Sequence, residues 1–137
     1  MHNLFLKDLN SNGHSRSAGR IAVFDYLLSN GSVYLTALAE AMVGVLDRAS
    51  LYRTLELFRG LGIIDELGRG RNRTIELSDR YSPHHHHLRC HVCGKVTNLD
   101  EPALEAALQA LAATNQFILQ SHVIELSGHC KNCSPQK

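Results

Sequence analysis

The sequence predicts an α+β chain. An N-terminal winged helix-turn-helix occupies residues 1–83, and a small α/β dimerisation domain with a four-cysteine zinc site occupies residues 84–137. Three observations lead there. Apolar residues recur at helical spacing through the first part of the chain. Two segments of period two then flank a glycine- and arginine-rich tip, Gly68-Arg69-Gly70-Arg71-Asn72. Finally, the only four cysteines fall into two pairs with the same internal spacing, Cys90-x2-Cys93 and Cys130-x2-Cys133.

In chain order, residues 1–13 read as a short arm ending in the turn-forming Ser11-Asn12-Gly13. Ile21, Phe24 and Leu28 stand at i, i+3 and i+7, the buried stripe of a first helix that stops near Asn30-Gly31. Thr36 caps a second, short helix over residues 37–43. Asp47 caps a third, which runs to Leu61 and is stopped by Gly62; its buried stripe is Leu51, Leu55 and Phe58. At about 100° per residue, Arg53 points away from that stripe and Tyr52 flanks it. Residues 63–67 and 73–77 are two strands joined by the glycine-rich tip.

Three helices followed by a hairpin make a winged helix-turn-helix, whose third helix enters the DNA major groove. Arg48, Ser50, Tyr52 and Arg53 are therefore the candidates on the recognition helix. Arg69, Arg71 and Arg73 on the wing suit phosphate contacts, which position without specifying. The competing reading is a solvated basic hairpin in a helical domain of other purpose.

Ser82-Pro83 breaks the chain as a hinge. Beyond it, residues 95–99 are a strand, and Asp100 caps a helix over residues 101–114 with Pro102 tolerated in its first turn. Leu104, Leu108 and Leu111 form its stripe. Residues 116–127 alternate imperfectly as a long strand into Cys130. So small a strand–helix–strand unit folds poorly alone, and dimerisation about a two-fold axis is expected.

Composition bounds the partners. Net charge is +1, and there is no Trp. Residues 1–83 carry ten Lys/Arg against nine Asp/Glu, and residues 84–137 four against four, so any nucleic-acid surface must come from local placement. No stretch reaches membrane-span length, and the N-terminus lacks the features of a signal peptide. A reducing cytoplasm is expected, where paired cysteines serve as metal ligands more often than as disulfides. Two Cys-x-x-Cys turns complete a closed tetrahedral shell, which reads as structural zinc; two disulfides or four buried thiols are the alternative. Just before the first pair stands His84-His85-His86-His87. In an extended segment His84 and His86 face one way and His85 and His87 the other, so one strand can feed two sites.

These pieces resemble the ferric uptake regulator superfamily over nearly the whole chain, from about Ser15 to Cys133. The matching motifs are Ser50-Leu51-Tyr52-Arg53-Thr54-Leu55, the His84–His87 run, Cys90-x2-Cys93-Gly94-Lys95, His122, and Gly128-His129-Cys130-x2-Cys133. The resemblance implies a homodimeric, metal-activated repressor that binds palindromic double-stranded DNA. It implies structural zinc on Cys90, Cys93, Cys130 and Cys133, and a second site in the dimerisation domain on His84, His86, Glu105 and His122. It further implies a regulatory site on Asp65, His85, His87 and a hinge position that is Cys in the zinc uptake regulators and Asp79 here; Glu76 competes with Asp79 for that role.

Thiolate favours zinc, whereas carboxylate with imidazole also suits iron, manganese or nickel. The iron and peroxide branches usually place a histidine and an acid where this chain has Ser32 and Asn98, so the resemblance is closest to the zinc branch. The expected function is therefore a zinc-responsive repressor of metal homeostasis. The regulatory ion would be zinc or another divalent transition metal, and it would link the two sides of the hinge. An iron-, manganese- or peroxide-responsive regulator is the nearest alternative, and a zinc-storage or metallochaperone module an alternative of another class. The bland readings are that Asp65 and Asp79 are exposed wing carboxylates and that Glu105 and His122 form an ion pair. An enzyme is not expected, because no poised base or nucleophile accompanies an open zinc site.

Overall fold

Residues His2–Ser11 form a helix, α1, in the computed structural model, which describes residues 1–67 and 73–134. The expected arm is thus a core element. Phe5 and Leu9, one turn apart, are fully buried. Phe5 stacks on Phe24 with ring centroids 4.0 Å apart and meets Phe58 edge-on at 5.4 Å. So short a helix is marginal by itself; the burial of one face stabilises it. Phe5→Ala should therefore cost about 3–5 kcal/mol of unfolding free energy in a urea titration. A loss below about 1 kcal/mol would make α1 peripheral.

The chain divides into two units, Met1–Pro83 and His84–Lys137. In the first, α2 (Ala18–Asn30) is capped by Ser17, whose hydroxyl accepts from Arg20 N at 3.4 Å, and ends at Gly31 with φ 66°. Its buried residues are Val23, Phe24 and Leu27. The expected stripe is rotated: Leu28 is exposed, because α1 and α4 cover the Phe24 side. A short strand, β1 (Val33–Tyr34), precedes α3 (Leu35–Ala41). Thr36 is not its cap. The helix starts directly after β1, where Leu35 N donates to Arg73 O at 3.0 Å, and Thr36 already lies in the first turn.

Helix α4 (Arg48–Gly60) follows expectation. Asp47 caps it by accepting from Ser50 N at 2.9 Å, Leu51, Leu55 and Phe58 are buried, and Gly62 takes φ 64° just beyond its end. Strands β2 (Ile64–Leu67) and β3 (Thr74–Leu77) pair antiparallel, with β1 on the far side of β3, in the order β1-β3-β2. Helices and sheet enclose one apolar core running from Phe5 to Tyr81.

The second unit has a three-stranded sheet in the order β5-β4-β6, with β4 (His86–Cys90) central. Strand β5 (Val96–Leu99) pairs antiparallel and β6 (Glu125–Gly128) parallel to it. Helix α5 (Pro102–Thr114) starts with proline, so its cap is Glu101, which accepts from Ala103 N at 3.4 Å, rather than Asp100. Leu104, Leu108 and Leu111 are not buried; Leu111 is 62 % exposed. The long strand expected over residues 116–127 shrinks to β6. Among the described residues Phe117, Ile118 and Val123 have no sheet partner, and they are 66 %, 84 % and 89 % exposed. No helix of the described residues is long and apolar enough to cross a membrane.

Candidate metal centres and nucleic-acid interface

The four cysteines converge in the second unit as unbonded thiols, their sulfurs within 4.8 Å of one another. Each pair sits on a tight turn. Gly94 N donates to Cys90 O at 2.9 Å, with Gly94 at φ 72°, a conformation glycine adopts at little cost. Cys133 N and Ser134 N both donate to Cys130 O at 2.9 Å. Register then joins the pairs, since Cys90 lies opposite Gly128 on the parallel strands and Cys130 N donates to Cys90 Sγ at 3.3 Å. Cys93 Sγ and Cys130 Sγ are 3.8 Å apart, matching the edge of about 3.8 Å of a sulfur tetrahedron around zinc. The backbone N–H of Cys130, followed by that of Cys93, pulls the Cys90 thiol down to about 5. Hydrogen bonding with the Cys130 and Cys93 thiols pushes Cys133 up to about 12. The donor set fits a closed zinc site.

A second cluster lies in the same unit. The histidine run alternates as expected: His84 and His86 have ring centroids 4.8 Å apart, His85 and His87 4.9 Å apart. His86 Nε2 and His122 Nε2 lie 2.6 and 3.1 Å from Glu105 Oε1, and His84 Nε2 lies 3.1 Å from His122 Nε2. Three imidazole nitrogens and one carboxylate oxygen thus surround one point, with edges near the roughly 3.3 Å expected around a tetrahedral ion. Partial burial raises the Glu105 carboxyl, but hydrogen bonds from His86 and then His122 outweigh it and hold the group below its ordinary range. The structure brings together all four residues expected at this site.

On the first unit, Asp65 of β2 lies directly opposite Glu76 of β3 in the antiparallel register, so both carboxylates share one face of the wing. Asp79 lies past the end of β3, in a turn where Tyr81 N and Ser82 N donate to Ser78 O at 2.8 and 3.1 Å. Like charges directly opposite on a sheet are destabilising, and a shared cation reverses that sign.

The DNA candidates on α4 form a small network. Ser50 Oγ donates to Asp47 Oδ2 at 2.6 Å and accepts from Arg53 Nη2 at 3.2 Å, while the Arg48 guanidinium lies 5.7 Å from the Tyr52 ring centroid. The Ser50 hydrogen bonds hold the Asp47 carboxyl below its ordinary range. Arg73 Nη1 lies 3.3 Å from Glu66, which also pairs with Arg59, so Arg73 braces the wing base as well as adding charge. Arg69 and Arg71 lie outside the described residues. His91 and His129 are exposed neighbours of the cysteines, with ring centroids 6.1 Å apart. Sequence reading missed Asp8, whose carboxylate accepts from Arg80 and Tyr81; only the tertiary fold brings these residues together.

Comparison with known proteins decides the family. The profile of the Ferric uptake regulator family matches residues 12–127. The chain belongs to the ferric uptake regulator family. Family members are transcription regulators, not enzymes. Among relatives, the ferric uptake regulation protein of Bordetella parapertussis is 35 % identical over 108 residues, covering 77 % of this chain and 74 % of that protein. That of Campylobacter upsaliensis is 33 % identical over 87 residues, 63 % of this chain. The chain spans about half the length of the Campylobacter relatives it matches, 54 % and 56 %. The peroxide operon regulator of Bacillus subtilis is 29 % identical over 140 residues, covering 96 % of this chain and 92 % of that protein.

Among solved structures, the Helicobacter pylori ferric uptake regulator superposes with a TM-score of 0.80 at 23 % identity, covering 98 % of this chain and 93 % of that one. That structure is described as having three functional metal binding sites. A zinc uptake regulator complexed with zinc and DNA superposes with a TM-score of 0.56 at 20 % identity, covering 96 % of this chain and 91 % of that one. At these identities both establish the ferric uptake regulator fold alone.

Proposed function

We propose that this chain is a metal-dependent, DNA-binding transcriptional repressor of metal homeostasis, working as a homodimer in the cytoplasm, with residues 1–83 binding DNA and residues 84–137 dimerising. The observation that carries the reading is a division of donors. Asp65 and Glu76 share one face of the wing, while in the segment entering β4 the rings of His85 and His87 pair with each other, separately from the His84–His86 pair. A bound divalent ion supplies an electron-pair acceptor common to oxygen and nitrogen donors. Asp65, with Glu76 or Asp79, offers carboxylates from one side of Ser82-Pro83, and His85 and His87 offer imidazoles from the other. Shared ligation ties the two sides and holds paired recognition helices at half-site spacing on a palindromic operator. The coupling free energy is the difference in metal affinity between tied and untied forms. Direct opposition to Asp65 favours Glu76 over Asp79 as the acid partner. The exposed Phe117, Ile118 and Val123 support dimerisation through the second unit, and Cys90, Cys93, Cys130 and Cys133 would hold structural zinc.

Two readings of the sensing ion have specific support. Ser32 and Asn98, where iron and peroxide regulators usually carry ligands, favour zinc. The thiolate-free donor set and relatives named for ferric uptake and peroxide favour iron(II) or manganese, and these observations weigh more. Operator affinity measured against buffered free zinc, iron(II), manganese and nickel tests the proposal; the ion that tightens binding at physiological free concentration is the effector. Tight metal binding with no operator binding under any metal would instead indicate storage or metal delivery.

For the interface, Arg53→Ala should weaken specific operator binding, because Arg53 lies on the exposed face of α4. Arg71→Ala should weaken binding to all sequences alike and lower the salt slope by about one. Relaxed sequence preference with an unchanged salt slope for Arg71→Ala would reverse the two roles.

A further inference from the structure

Asp8, on the buried side of α1, is 9 % exposed, and Tyr81 is 1 % exposed. Asp8 Oδ1 accepts a hydrogen bond of 2.8 Å from Arg80 Nη2, and Oδ2 accepts one from the Tyr81 hydroxyl. One carboxylate of α1 thereby holds two consecutive side chains from the far end of its unit. Around it the turn is tightly specified. Tyr81 packs edge-on against Phe24 at 5.5 Å, Arg80 lies 5.8 Å from the Tyr81 ring centroid, and Ser78 Oγ donates to Gly62 O at 2.7 Å.

Anchoring α1 does not require this arrangement, because Phe5 and Leu9 already bury its apolar face. A buried carboxylate is costly unless such donors meet it, and charge-assisted hydrogen bonds add direction as well as energy. The direction they fix is that of the segment between β3 and Ser82-Pro83.

We propose that Asp8 is a positioning residue: it latches α1 to Arg80 and Tyr81 and so sets the path of the chain from the end of β3 through Asp79 into the hinge that precedes His85 and His87, while Glu76 is held by the β2–β3 ladder itself. The inference rests on the function proposed above. With the latch broken, ligating the ion must also order the turn, so more metal is needed, while the DNA-facing side of α4 is untouched.

The test compares the full-length parent, Asp8→Asn, Tyr81→Phe and, as a core control on the same helix, Leu9→Ala. For each, three quantities are measured: the free metal giving half-maximal operator binding, using the ion to which the parent responds; operator affinity at saturating metal; and melting temperature. Asp8→Asn and Tyr81→Phe should raise the half-maximal metal concentration by about tenfold, with affinity at saturating metal kept within about twofold. Leu9→Ala should lower the melting temperature without moving the metal midpoint. A midpoint for Asp8→Asn equal to the parent's, or shifted no further than that of Leu9→Ala at equal loss of melting temperature, would overturn the latch. A parent whose operator binding ignores every metal would overturn the regulatory reading itself, and the latch with it.

Discussion

Cys90→Ser or Cys133→Ser should remove the structural ion and collapse the second unit, taking the dimer with it. Among the described residues of that unit the only buried apolar side chain is that of Cys90. Folding free energy from a core is therefore small, and a sheet of three short strands with one helix lying largely exposed cannot offset the entropy of ordering it. A closed zinc–thiolate site contributes about 10–16 kcal/mol of apparent binding free energy near neutral pH, comparable to the whole stability of an ordinary domain. Size-exclusion chromatography and thermal melting, with and without a strong chelator, measure the effect. Loading requires all four thiols to lose their protons, and Cys133 is pushed up to about 12, so metal affinity should fall as pH falls. A Cys133→Ser variant that stays dimeric, in a protein whose parent melts unchanged after chelation, would show that the cysteines do not hold the fold.

What the sequence made legible follows from how local each signal is. The recognition helix was readable because cap, stripe and stop, Asp47, Leu51-Leu55-Phe58 and Gly62, lie within one helix length and agree with one another. The histidine run was readable because strand alternation alone sends His84 and His86 one way and His85 and His87 the other. Helix α1 was not, because the single i, i+4 pair of Phe5 and Leu9 is too short a stripe to mark a helix without the tertiary cover that Phe24 and Phe58 give Phe5. Asp8 was invisible for the same reason, since its partners Arg80 and Tyr81 are brought to it only by the tertiary fold. In the second unit the errors run the other way: Leu111, Phe117, Ile118 and Val123 read as buried stripe or strand, yet the described residues of a single chain leave them exposed. Periodicity reports that a face seeks a partner, not whether that partner belongs to the same chain.

His87→Ala and Glu76→Ala should each abolish metal-stimulated operator binding while leaving the cysteine zinc and the dimer in place. Neither residue is one of the four clustered cysteines, so neither contributes to the ligand shell that holds the second unit together. To move an operator-binding equilibrium from mostly off to mostly on, ligation must favour the competent form by about 5.5 kcal/mol, and losing one ligand of four removes a large share of that. Asp79→Ala separates the two acid candidates. If it retains the metal response while Glu76→Ala loses it, the carboxylate opposite Asp65 is the ligand; the reverse outcome assigns the role to Asp79 and the turn. Asp79→Cys adds a thiolate near the hinge and should shift preference toward zinc only if that position reaches the ion. His84→Ala and Glu105→Ala act on the cluster within the second unit, and should tune the metal midpoint without erasing the response. Operator binding against buffered metal for all six variants decides the assignment. A parent-like response from both Glu76→Ala and His87→Ala would remove the basis for a switch that joins the wing carboxylates to the odd-numbered histidines.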